Sequence, residues 1–302
     1  MVIPIFLAGD NSYAPYIGTC IFSLLANTRP HKYAFYLLTP ADFSGEHKRS
    51  LLRIPQLYKN CTLHFVNMRN AFKHMKLNIE HVTYPTYYRL LIADMFPELD
   101  KCLYLDADLI VCQDIAALYA VNLDNYYAAA VKAPYVYLDK GGAAFLRSIG
   151  LAGEQHYFNA GVLLLNLKNI RRDRLTNRFK ELAARNLPTQ DQDILNIACR
   201  GKVKPLDFKY NCMTKYFNCR PQLAKIFGRE MIDEAYSAPV IIHYCDKEKP
   251  WQYPLTAWFW DYARQSPFYT EILTDNLRLP DQPDVSAGTA LFARIKKLWR
   301  GK

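Results

Sequence analysis

Two acidic residues, Asp106 and Asp108, lie inside the apolar stretch 101–112, whose sequence is K-C-L-Y-L-D-A-D-L-I-V-C. Such a run predicts a buried strand, and because strand side chains alternate faces, both carboxylates would point the same way. Paired carboxylates need a cation, a shared proton or a polar cleft. A divalent metal such as Mg2+ or Mn2+ meets that need and would hold a phosphorylated ligand. The alternative is a strand that runs into a turn at Ala107 and Asp108, which is the more common structure for an isolated D-x-D.

Two further polar clusters accompany predicted elements. A helix predicted over 190–199 begins with Asp191, Gln192 and Asp193, and acidic residues at a helix start are favoured by capping and by the helix dipole. This triplet therefore serves either as a helix start or as part of a polar site. His243 lies in an apolar run over 239–244 and opens the sequence H-Y-C-D-K-E-K-P-W. Taken alone, a histidine at a strand end is more often a core or surface residue than a ligand.

The elements that must position these residues alternate between strand and helix. Apolar runs predict strands over 2–8, 33–39, 62–67, 101–112, 127–132, 158–167 and 239–244, and helical spacing predicts helices over 16–25, 47–58, 86–95, 114–119, 171–185, 190–199 and 258–262. Residues 133–157 are expected to be irregular and to cover a cleft. This order indicates an α/β fold with a doubly wound, mostly parallel sheet flanked by helices, which binds ligands at the carboxyl ends of strands. Because Gly9-Asp10-Asn11 and residues 106–108 both follow strands, we expect them to meet at one cleft.

The composition is that of a globular protein. The 302 residues are 51% apolar and 22% charged, and the formal net charge of +10 favours anionic partners such as nucleotide phosphates, acidic glycolipid or a membrane surface. The basic residues are dispersed and form no recognition motif, so nucleic acid is not an expected partner. Eight cysteines without a C-x-x-C pair favour a reduced compartment. The sequence begins without a signal-peptide pattern and contains no run of about 18 apolar residues, which predicts a cytoplasmic protein without a spanning helix.

The last residues differ from the rest of the chain. The composition becomes loop-like near 280–283, so we expect one domain over 1–280, followed by a linker and a basic tail over 281–302. In the tail, five basic residues accompany apolar residues at helical spacing: Leu291, Phe292, Ile295, Leu298 and Trp299. This pattern is typical of a basic amphipathic helix on an anionic membrane surface, which would place the protein peripherally on the inner face of the cell membrane. A C-terminal helix packed on the domain is the alternative.

Four motifs, in the order Y-L-D-A-D-L-I-V, Y-F-N-A-G-V-L-L-L-N-L, D-Q-D-I-L-N and H-Y-C-D-K-E-K-P-W, resemble those of the family 8 retaining glycosyltransferases. The likeness covers about residues 3–265 and is greatest to bacterial galactosyl- and glucosyltransferases that extend lipopolysaccharide or lipooligosaccharide cores. It implies a GT-A type fold and an enzyme that transfers a hexose from UDP-glucose or UDP-galactose to a glycan or glycolipid acceptor, with Mn2+ as cofactor. Because four motifs occur in the family order, we favour a metal-binding role for the D-x-D sequence over a simple turn at Ala107 and Asp108.

The resemblance also implies roles for individual residues. Asp106, Asp108 and His243 are the implied metal ligands, and because nitrogen ligation suits Mn2+ better than Mg2+, Mn2+ is the expected ion and Mg2+ the alternative. Arg89, Asp191 and Gln192 are the implied catalytic residues, beside the donor sugar and its anomeric carbon. Lys249 would contact the diphosphate. The implied UDP-sugar site comprises Ala8, Asp10, Asn11, Arg89, Asp106, Ala107, Asp108, Asn159, Ala160, Gly161, Asp191, Gln192, His243 and Lys249.

The resemblance bears on mechanism and on one competing function. Gln192 corresponds to the amide that the family places on the far face of the sugar, and because an amide is a poor nucleophile, front-face substitution is favoured over a covalent intermediate. Three residues depart from the family pattern: Gly9 and Lys132 replace common acids, and Asp246 replaces the usual glycine. Since all three belong to the expected donor site, a catalytically weak protein that binds nucleotide sugars or glycans is the alternative function.

Overall fold

Short apolar runs form the strands of the protein, and stretches with apolar residues at helical spacing form its helices. The structure is a computed structural model that describes residues 2–28, 31–69, 71–72, 83–253, 256 and 258–277. Within these residues the strands are β1 (Val2–Ala8), β2 (Lys32–Thr39), β3 (Cys61–Asn67), β4 (Lys101–Leu105), β5 (Leu109–Val111), β6 (Ala128–Lys132), β7 (Phe158–Asn166), β8 (Val203–Pro205), β9 (Cys212–Met213) and β10 (Ile241–His243).

The α-helices of the described residues are α1 (Ala14–Asn27), α2 (Gly45–Leu51), α3 (Ile54–Leu57), α4 (Ile92–Met95), α5 (Ala116–Tyr119), α6 (Tyr135–Leu138), α7 (Gly142–Ser148), α8 (Leu167–Arg172), α9 (Leu175–Ala183), α10 (Asp191–Ala198), α11 (Arg220–Phe227), α12 (Arg229–Ser237), α13 (Phe259–Ala263) and α14 (Tyr269–Leu277). Single 3-10 turns or helices span Asn11–Tyr13, Tyr84–Leu91, Phe208–Tyr210, Thr214–Cys219 and Pro250–Gln252. None of these helices has the length and apolar content that crossing a bilayer requires.

A seven-stranded sheet with the order β3-β2-β1-β4-β7-β6-β8 forms the centre of the described chain. The pairs β1–β2, β1–β4, β2–β3 and β6–β8 are parallel, whereas β7 is antiparallel to β4 and to β6. A smaller sheet, β5-β10-β9, lies beside it. The prediction of a mostly parallel α/β sheet is confirmed.

Helices cover both faces of the large sheet because its strands are apolar on both faces. Along β1, Ile3, Ile5 and Leu7 belong to a buried cluster with residues of α1, α13 and α14, whereas Phe6 and Ala8 belong to a second cluster with residues of α8, α9 and α10. This alternation follows the two-residue period of a strand. The doubly wound arrangement expected from the sequence is therefore present.

The pairing register makes β7 longer than β4 at one end. Lys101 pairs with Asn166 and Leu105 pairs with Val162, so residues 159–161 of β7 extend beyond the carboxyl end of β4. We call residues 159–161 the β7 overhang. It carries backbone N–H and C=O groups to the edge where ligands bind in open α/β sheets.

The prediction of one continuous strand over 101–112 is wrong. β4 ends at Leu105, residues 106–108 form a bend, and β5 joins the smaller sheet. The change of hydrogen-bond partners explains the break: the Asp106 N–H donates to the Gly161 carbonyl in the large sheet at 2.8 Å, and the Asp108 carbonyl accepts from the Tyr244 N–H beside the smaller sheet at 3.0 Å.

Several other boundaries also differ from the predictions. The helices expected over 47–58 and 171–185 are each split in two, with Pro55 in the first turn of α3 and with Arg174 in the left-handed region at φ 50° before α9. Most of the helix expected over 86–95 is a 3-10 helix, and the segment 133–157 contains α6 and α7 rather than irregular chain alone. The predicted tail over 281–302 lies outside the described residues.

Candidate active site

Asp106 and Asp108 lie in the bend that follows β4, and His243, the last residue of β10, faces them. His243 Nε2 lies 3.4 Å from Asp108 Oδ1 and 3.9 Å from Asp106 Oδ2. One ligand atom from each of the three residues lies within 4.8 Å of the other two. The bend, rather than strand alternation, thus brings both carboxylates to one point.

The surroundings of His243 fit a metal ligand. Its side chain is 2% exposed, and Nδ1 lies 2.9 Å from Asn211 Oδ1. Because a carbonyl oxygen accepts, this contact places an imidazole proton on Nδ1 and makes Nε2 the ring nitrogen available to a metal ion. Two carboxylate oxygens and one imidazole nitrogen form a donor set suited to Mn2+.

Arg89 joins two of the acidic residues. Its Nη2 donates to Asp106 Oδ1 at 2.7 Å, and its Nε lies 3.1 Å from Asp191 Oδ2. Nη1 donates to the carbonyl of Ala160, and the guanidinium lies 4.1 Å from the centre of the Tyr104 ring. Burial alone would lower the pKa of Arg89, but the two carboxylates outweigh it and raise the pKa. Arg89 is therefore a buried cation that fixes Asp106 relative to Asp191.

Lys249 supplies a second buried cation, which pairs with Asp108 rather than with Asp106. Its Nζ donates to Asp108 Oδ2 at 2.6 Å and to the Tyr244 carbonyl at 2.9 Å. The backbone holds Lys249 in place, since its N–H donates to Gln252 Oε1 at 2.7 Å across the turn Pro250–Gln252. Asp106 and Asp108 thus each have one cationic partner, and both also face His243.

The acidic start of α10 has two separate roles. Asp193 accepts hydrogen bonds from the Thr189 N–H at 2.7 Å and from the Tyr157 hydroxyl at 2.6 Å, as a helix-start residue does. Asp191 turns toward Arg89 instead, and its Oδ1 accepts from the Thr86 hydroxyl at 2.7 Å. Burial raises the pKa of Asp191 to about 6 although Arg89 and Thr86 oppose that rise. Asp193 therefore acts at the helix start, whereas Asp191 belongs to the polar site.

Gln192 contacts the β7 overhang. Its Oε1 accepts from the Ala160 N–H at 3.1 Å and from Asn159 Nδ2 at 3.2 Å, and its Nε2 donates to the hydroxyls of Tyr135 and Tyr157. At Gly161 a side chain would not fit, because an added Cβ would meet the His243 ring and lie 2.8 Å from Asp106 Oδ2. The absence of a side chain here lets the overhang and the three candidate ligands approach one another.

One cleft of about 450 Å³ contains most of the residues predicted for the donor site: Ala8, Arg89, Asp106, Ala107, Asp108, Asn159, Ala160, Gly161, Asp191, Gln192, His243 and Lys249. Gly9 and Tyr13 also line it, whereas Asp10 and Asn11 do not. Asp10 instead accepts from the Ser12 N–H and hydroxyl, and Asn11 binds the backbone of Asp42 and Ser44. Asp10 therefore shapes the turn after β1, and Asn11 joins that turn to the loop after β2.

The three departures from the family pattern have different surroundings. At Gly9, an added Cβ would lie 2.7 Å from Ile17 Cδ1, so the packing of α1 leaves little room there. The Lys132 ammonium lies 5.6 Å from the centre of the Tyr137 ring, and Lys132 is not among the cleft residues. Asp246 lines the cleft, where its Oδ1 lies 3.9 Å from Lys215 Nζ. Of the three, Asp246 places a charge at the cleft.

The sequence interpretation missed several residues that bond directly to predicted ones: Thr86, Tyr104, Tyr135, Tyr157 and Asn211. Thr86 precedes Arg89 by three residues, and Tyr104 precedes Asp106 by two, so helix and strand periodicity offered a signal for both. Asn211 belongs to none of the four motifs. Only the tertiary structure brings it to His243.

The fold and the contents of this cleft define a glycosyltransferase with a GT-A type α/β fold. The model of glycosyl transferase family 8 matches residues 4–254. The chain belongs to this family, which confirms the resemblance found in the four motifs.

Three known proteins show how far the similarity extends. Lipopolysaccharide 1,2-glucosyltransferase of Escherichia coli is 30% identical over 254 residues, which cover 80% of this chain and 71% of that protein. Glycosyltransferase GlyA of Streptococcus pneumoniae is 30% identical over 251 residues, but the chain spans only 32% of the length of GlyA and 82% of its own. A crystal structure of galactosyltransferase LgtC, in complex with donor and acceptor sugar analogues, matches 92% of this chain and 98% of LgtC with a TM-score of 0.72 and 28% identity.

Proposed function

We propose that this protein transfers glucose or galactose from a UDP-sugar to a glycan or glycolipid acceptor of the lipopolysaccharide-core type, with retention of configuration and with Mn2+ as cofactor. The observation that carries the proposal is the convergence of Asp106, Asp108 and His243 in the cleft that also holds Lys249 and Gln192. Membership of family 8 and the similarity to a glucosyltransferase and a galactosyltransferase support it.

Asp106, Asp108 and His243 would hold the metal ion. The Nδ1 contact of His243 with Asn211 fits this role because it leaves Nε2 as the ring nitrogen that can bind a metal, and a nitrogen donor favours Mn2+ over Mg2+. When bound, the ion supplies Lewis-acid stabilisation of the negative charge on the departing diphosphate.

Lys249 and Arg89 would act differently although both are buried cations. Lys249 presents a compact ammonium at the Asp108 side of the ligand set, which suits contact with a diphosphate. Arg89 already donates to Asp106, Thr86 and the Ala160 carbonyl and lies against Asp191. Its role is to orient these groups rather than to bind the donor phosphates.

The hydrogen bonds around Asp191 and Gln192 favour front-face substitution. One oxygen of Asp191 accepts from Thr86 and the other faces Arg89, so neither is free to attack the sugar. Gln192 is an amide and a poor nucleophile. In the proposed step the bond from the anomeric carbon to the UDP oxygen breaks, the acceptor oxygen bonds to the same face, and the acceptor proton moves to the departing phosphate oxygen. Gln192, which the overhang holds in place, would stabilise the cationic sugar.

We further propose that residues 281–302 form a membrane-binding segment outside the catalytic domain of residues 1–280. The support is the basic amphipathic pattern of the sequence, and a glycolipid acceptor would lie at a membrane surface. A variant lacking residues 286–302 should lose co-sedimentation with vesicles that contain anionic lipid. Unchanged sedimentation of the shortened protein would contradict this role.

A donor screen tests the proposed reaction. Purified protein with Mn2+ is incubated with UDP-glucose, UDP-galactose or their N-acetylated counterparts, together with a lipooligosaccharide-core acceptor, and products are detected by mass spectrometry. We expect hexose transfer from UDP-glucose or UDP-galactose that Asp108→Asn abolishes. The matched control is Asp233→Asn, because Asp233 is an exposed carboxylate paired with Arg220 on the surface.

Two results of the screen would overturn the proposal. Turnover that persists in Asp108→Asn or after removal of all divalent metal would exclude the metal role. Tight UDP-sugar binding without transfer or hydrolysis under any condition would support the alternative of a catalytically weak binding protein, in which the Asp246 charge at the cleft opposes catalysis.

A further inference from the structure

We infer that Asn211 is a positioning residue that fixes the tautomer of His243 and joins the metal ligands to the donor-sugar pocket. The inference rests on the proposed function for the identity of the metal site. Asn211 is completely buried, and it lies between the 3-10 turn Phe208–Tyr210 and β9, away from the four motifs.

A backbone N–H group fixes the orientation of the Asn159 and Asn211 amides. Gly161 N–H can act only as a donor, and it donates to Asn159 Oδ1 at 3.0 Å. Asn211 Nδ2 donates to the same oxygen at 2.8 Å. A flipped Asn211 would bring two carbonyl oxygens together, so Asn211 Oδ1 must be the atom that faces His243 Nδ1. His243 therefore carries its proton on Nδ1.

The same reasoning extends the network to Gln192. Ala160 N–H donates to Gln192 Oε1 at 3.1 Å, and Asn159 Nδ2 donates to that oxygen at 3.2 Å. Gln192 Nε2 is then left to donate to the hydroxyls of Tyr135 and Tyr157. Gln192, Asn159, Asn211 and His243 thus form one chain of hydrogen bonds whose direction is set by the N–H groups of the β7 overhang.

This direction matters because Nε2 is the ring nitrogen nearest the two carboxylates. With the proton on Nδ1, Nε2 keeps a lone pair for a metal, whereas the opposite tautomer would present an N–H. Loss of such an outer contact typically reduces metal affinity by about 10- to 100-fold. Asn211 also supplies a donor to Asn159, so it acts on the metal ligand and on the sugar pocket together.

The first test reads the tautomer directly. Protein labelled with 15N-histidine is examined by long-range 1H–15N NMR at pH 8, and the His243 signals are identified by their absence in His243→Gln. We expect a protonated Nδ1 at His243, which the contact with Asn211 Oδ1 requires. An unprotonated Nδ1 would overturn the inference.

The second test separates the two contacts of Asn211 by substitution. Mn2+ affinity is measured by electron paramagnetic resonance of free Mn2+, with and without UDP. Asn211→Leu removes both contacts and should weaken Mn2+ binding about 10- to 100-fold. Asn211→Asp keeps an acceptor for His243 Nδ1–H but loses the donor to Asn159, so it should retain Mn2+ affinity and the Nδ1–H tautomer while kcat for sugar transfer falls.

The matched control is Asn169→Leu. Asn169 is a buried amide that bonds the carbonyls of Asp124 and Tyr126, and it does not line the cleft. Its loss should lower stability without changing Mn2+ affinity. Should Asn211→Leu fail to fold, Asn211→Asp still decides the question: weakened Mn2+ binding or a changed tautomer in that variant would overturn the inference.

The inference and the proposed function fail in different ways. If the His243 tautomer and the Mn2+ affinities are as expected but the protein transfers no sugar, the role of Asn211 is supported and the proposed reaction is contradicted. Equal Mn2+ affinity in wild type and in folded Asn211→Leu would overturn the role of Asn211 even when transfer is observed.

Discussion

The ammonium of Lys249 lies 2.6 Å from Asp108 Oδ2, although 141 positions separate the two residues in the chain. Their side chains are 8% and 11% exposed. Burial by itself would raise the pKa of Asp108, but the charge of the Lys249 ammonium and its hydrogen bond oppose that rise, and the pKa lies below its ordinary value. Lys249 and Asp108 thus form a buried ion pair, and the ionised form of Asp108 is stabilised by the Lys249 ammonium.

Lys249→Met should lower the free energy of unfolding by about 3 kcal/mol, because it leaves the Asp108 carboxylate buried without its strongest partner. Urea unfolding at pH 7 without metal measures the change. In the matched control, Lys209→Met removes an ammonium that lies 2.7 Å from Glu234, a residue whose side chain is 52% exposed, and should cost less than about 1 kcal/mol. Equal losses in the two variants would contradict the prediction, and Asp108→Asn combined with Lys249→Met should recover part of the loss.

Gly161→Ala should damage the candidate metal site because its Cβ would meet the His243 ring and Asp106 Oδ2. We expect sugar transfer to fall by at least about 100-fold, which corresponds to about 3 kcal/mol in transition-state stabilisation. Gly141→Ala is the control, since nothing lies within 4 Å of an added Cβ there. If initial rates of UDP release are equally unaffected in both variants, the close approach at Gly161 has no functional consequence.

Gln192→Ala should retain measurable transfer, at roughly one hundredth of the wild-type kcat, because a hydrogen-bonding group is lost but no covalent intermediate depends on it. Single-turnover measurements at saturating UDP-sugar give the rate. Complete loss of transfer with UDP-sugar affinity intact would instead favour a covalent role for Gln192 and contradict the front-face mechanism.

Asp191 should make the protein less stable as pH rises from 4 to above 6. Its pKa in the folded state is about 6, above the ordinary 3.8, and burial is the cause. Across this window the folded state keeps a proton that the unfolded chain has released, so stabilisation is fully present below pH 4 and is lost as pH passes 6. The difference is on the order of 3 kcal/mol.

The comparison of wild type with Asp191→Asn isolates this effect. His156 acts in the opposite direction over the same window, because burial and the charge of Lys132 lower its pKa to about 4 from 6.5. Urea unfolding between pH 4 and 7 should show that Asp191→Asn becomes stabilised relative to wild type as pH rises. A parallel pH dependence in the two proteins would rule out a raised pKa at Asp191.

Much of the fold could be predicted because local sequence determines it. The apolar runs of β1, β2 and β7 and the helical spacing of α1 gave their bounds to within one or two residues, since both faces of these elements are buried and their patterns are uninterrupted. The bend at residues 106–108 could not be predicted in this way. The bend arises because the partner strand changes from β7, beside β4, to β10, beside β5. The residue types within the stretch 101–112 do not indicate which strand will pair with it.

The site shows the same limit. Asp106, Asp108 and His243 could be proposed because each belongs to a recognisable motif, and the structure brings them within 4.8 Å. The bonds of Asp10 to its own turn, those of Asn11 to the backbone of Asp42 and Ser44, and the contact of Asn211 with His243 depend on loop conformation and on packing. A motif therefore identifies candidate ligand-binding residues more readily than the residues that orient their side chains.

The hydrogen bonds of the β7 overhang bear on hydrogen exchange at two backbone amides, those of Ala160 and Gly161. Among the described residues, the Ala160 and Gly161 N–H groups are bonded by the Gln192 and Asn159 side chains rather than by a neighbouring strand. We therefore expect deuterium uptake at these two amides to depend on rotation of the two side chains rather than on separation of paired strands. The exchange rates of the two amides would then report how often the Gln192 and Asn159 side chains leave the β7 overhang.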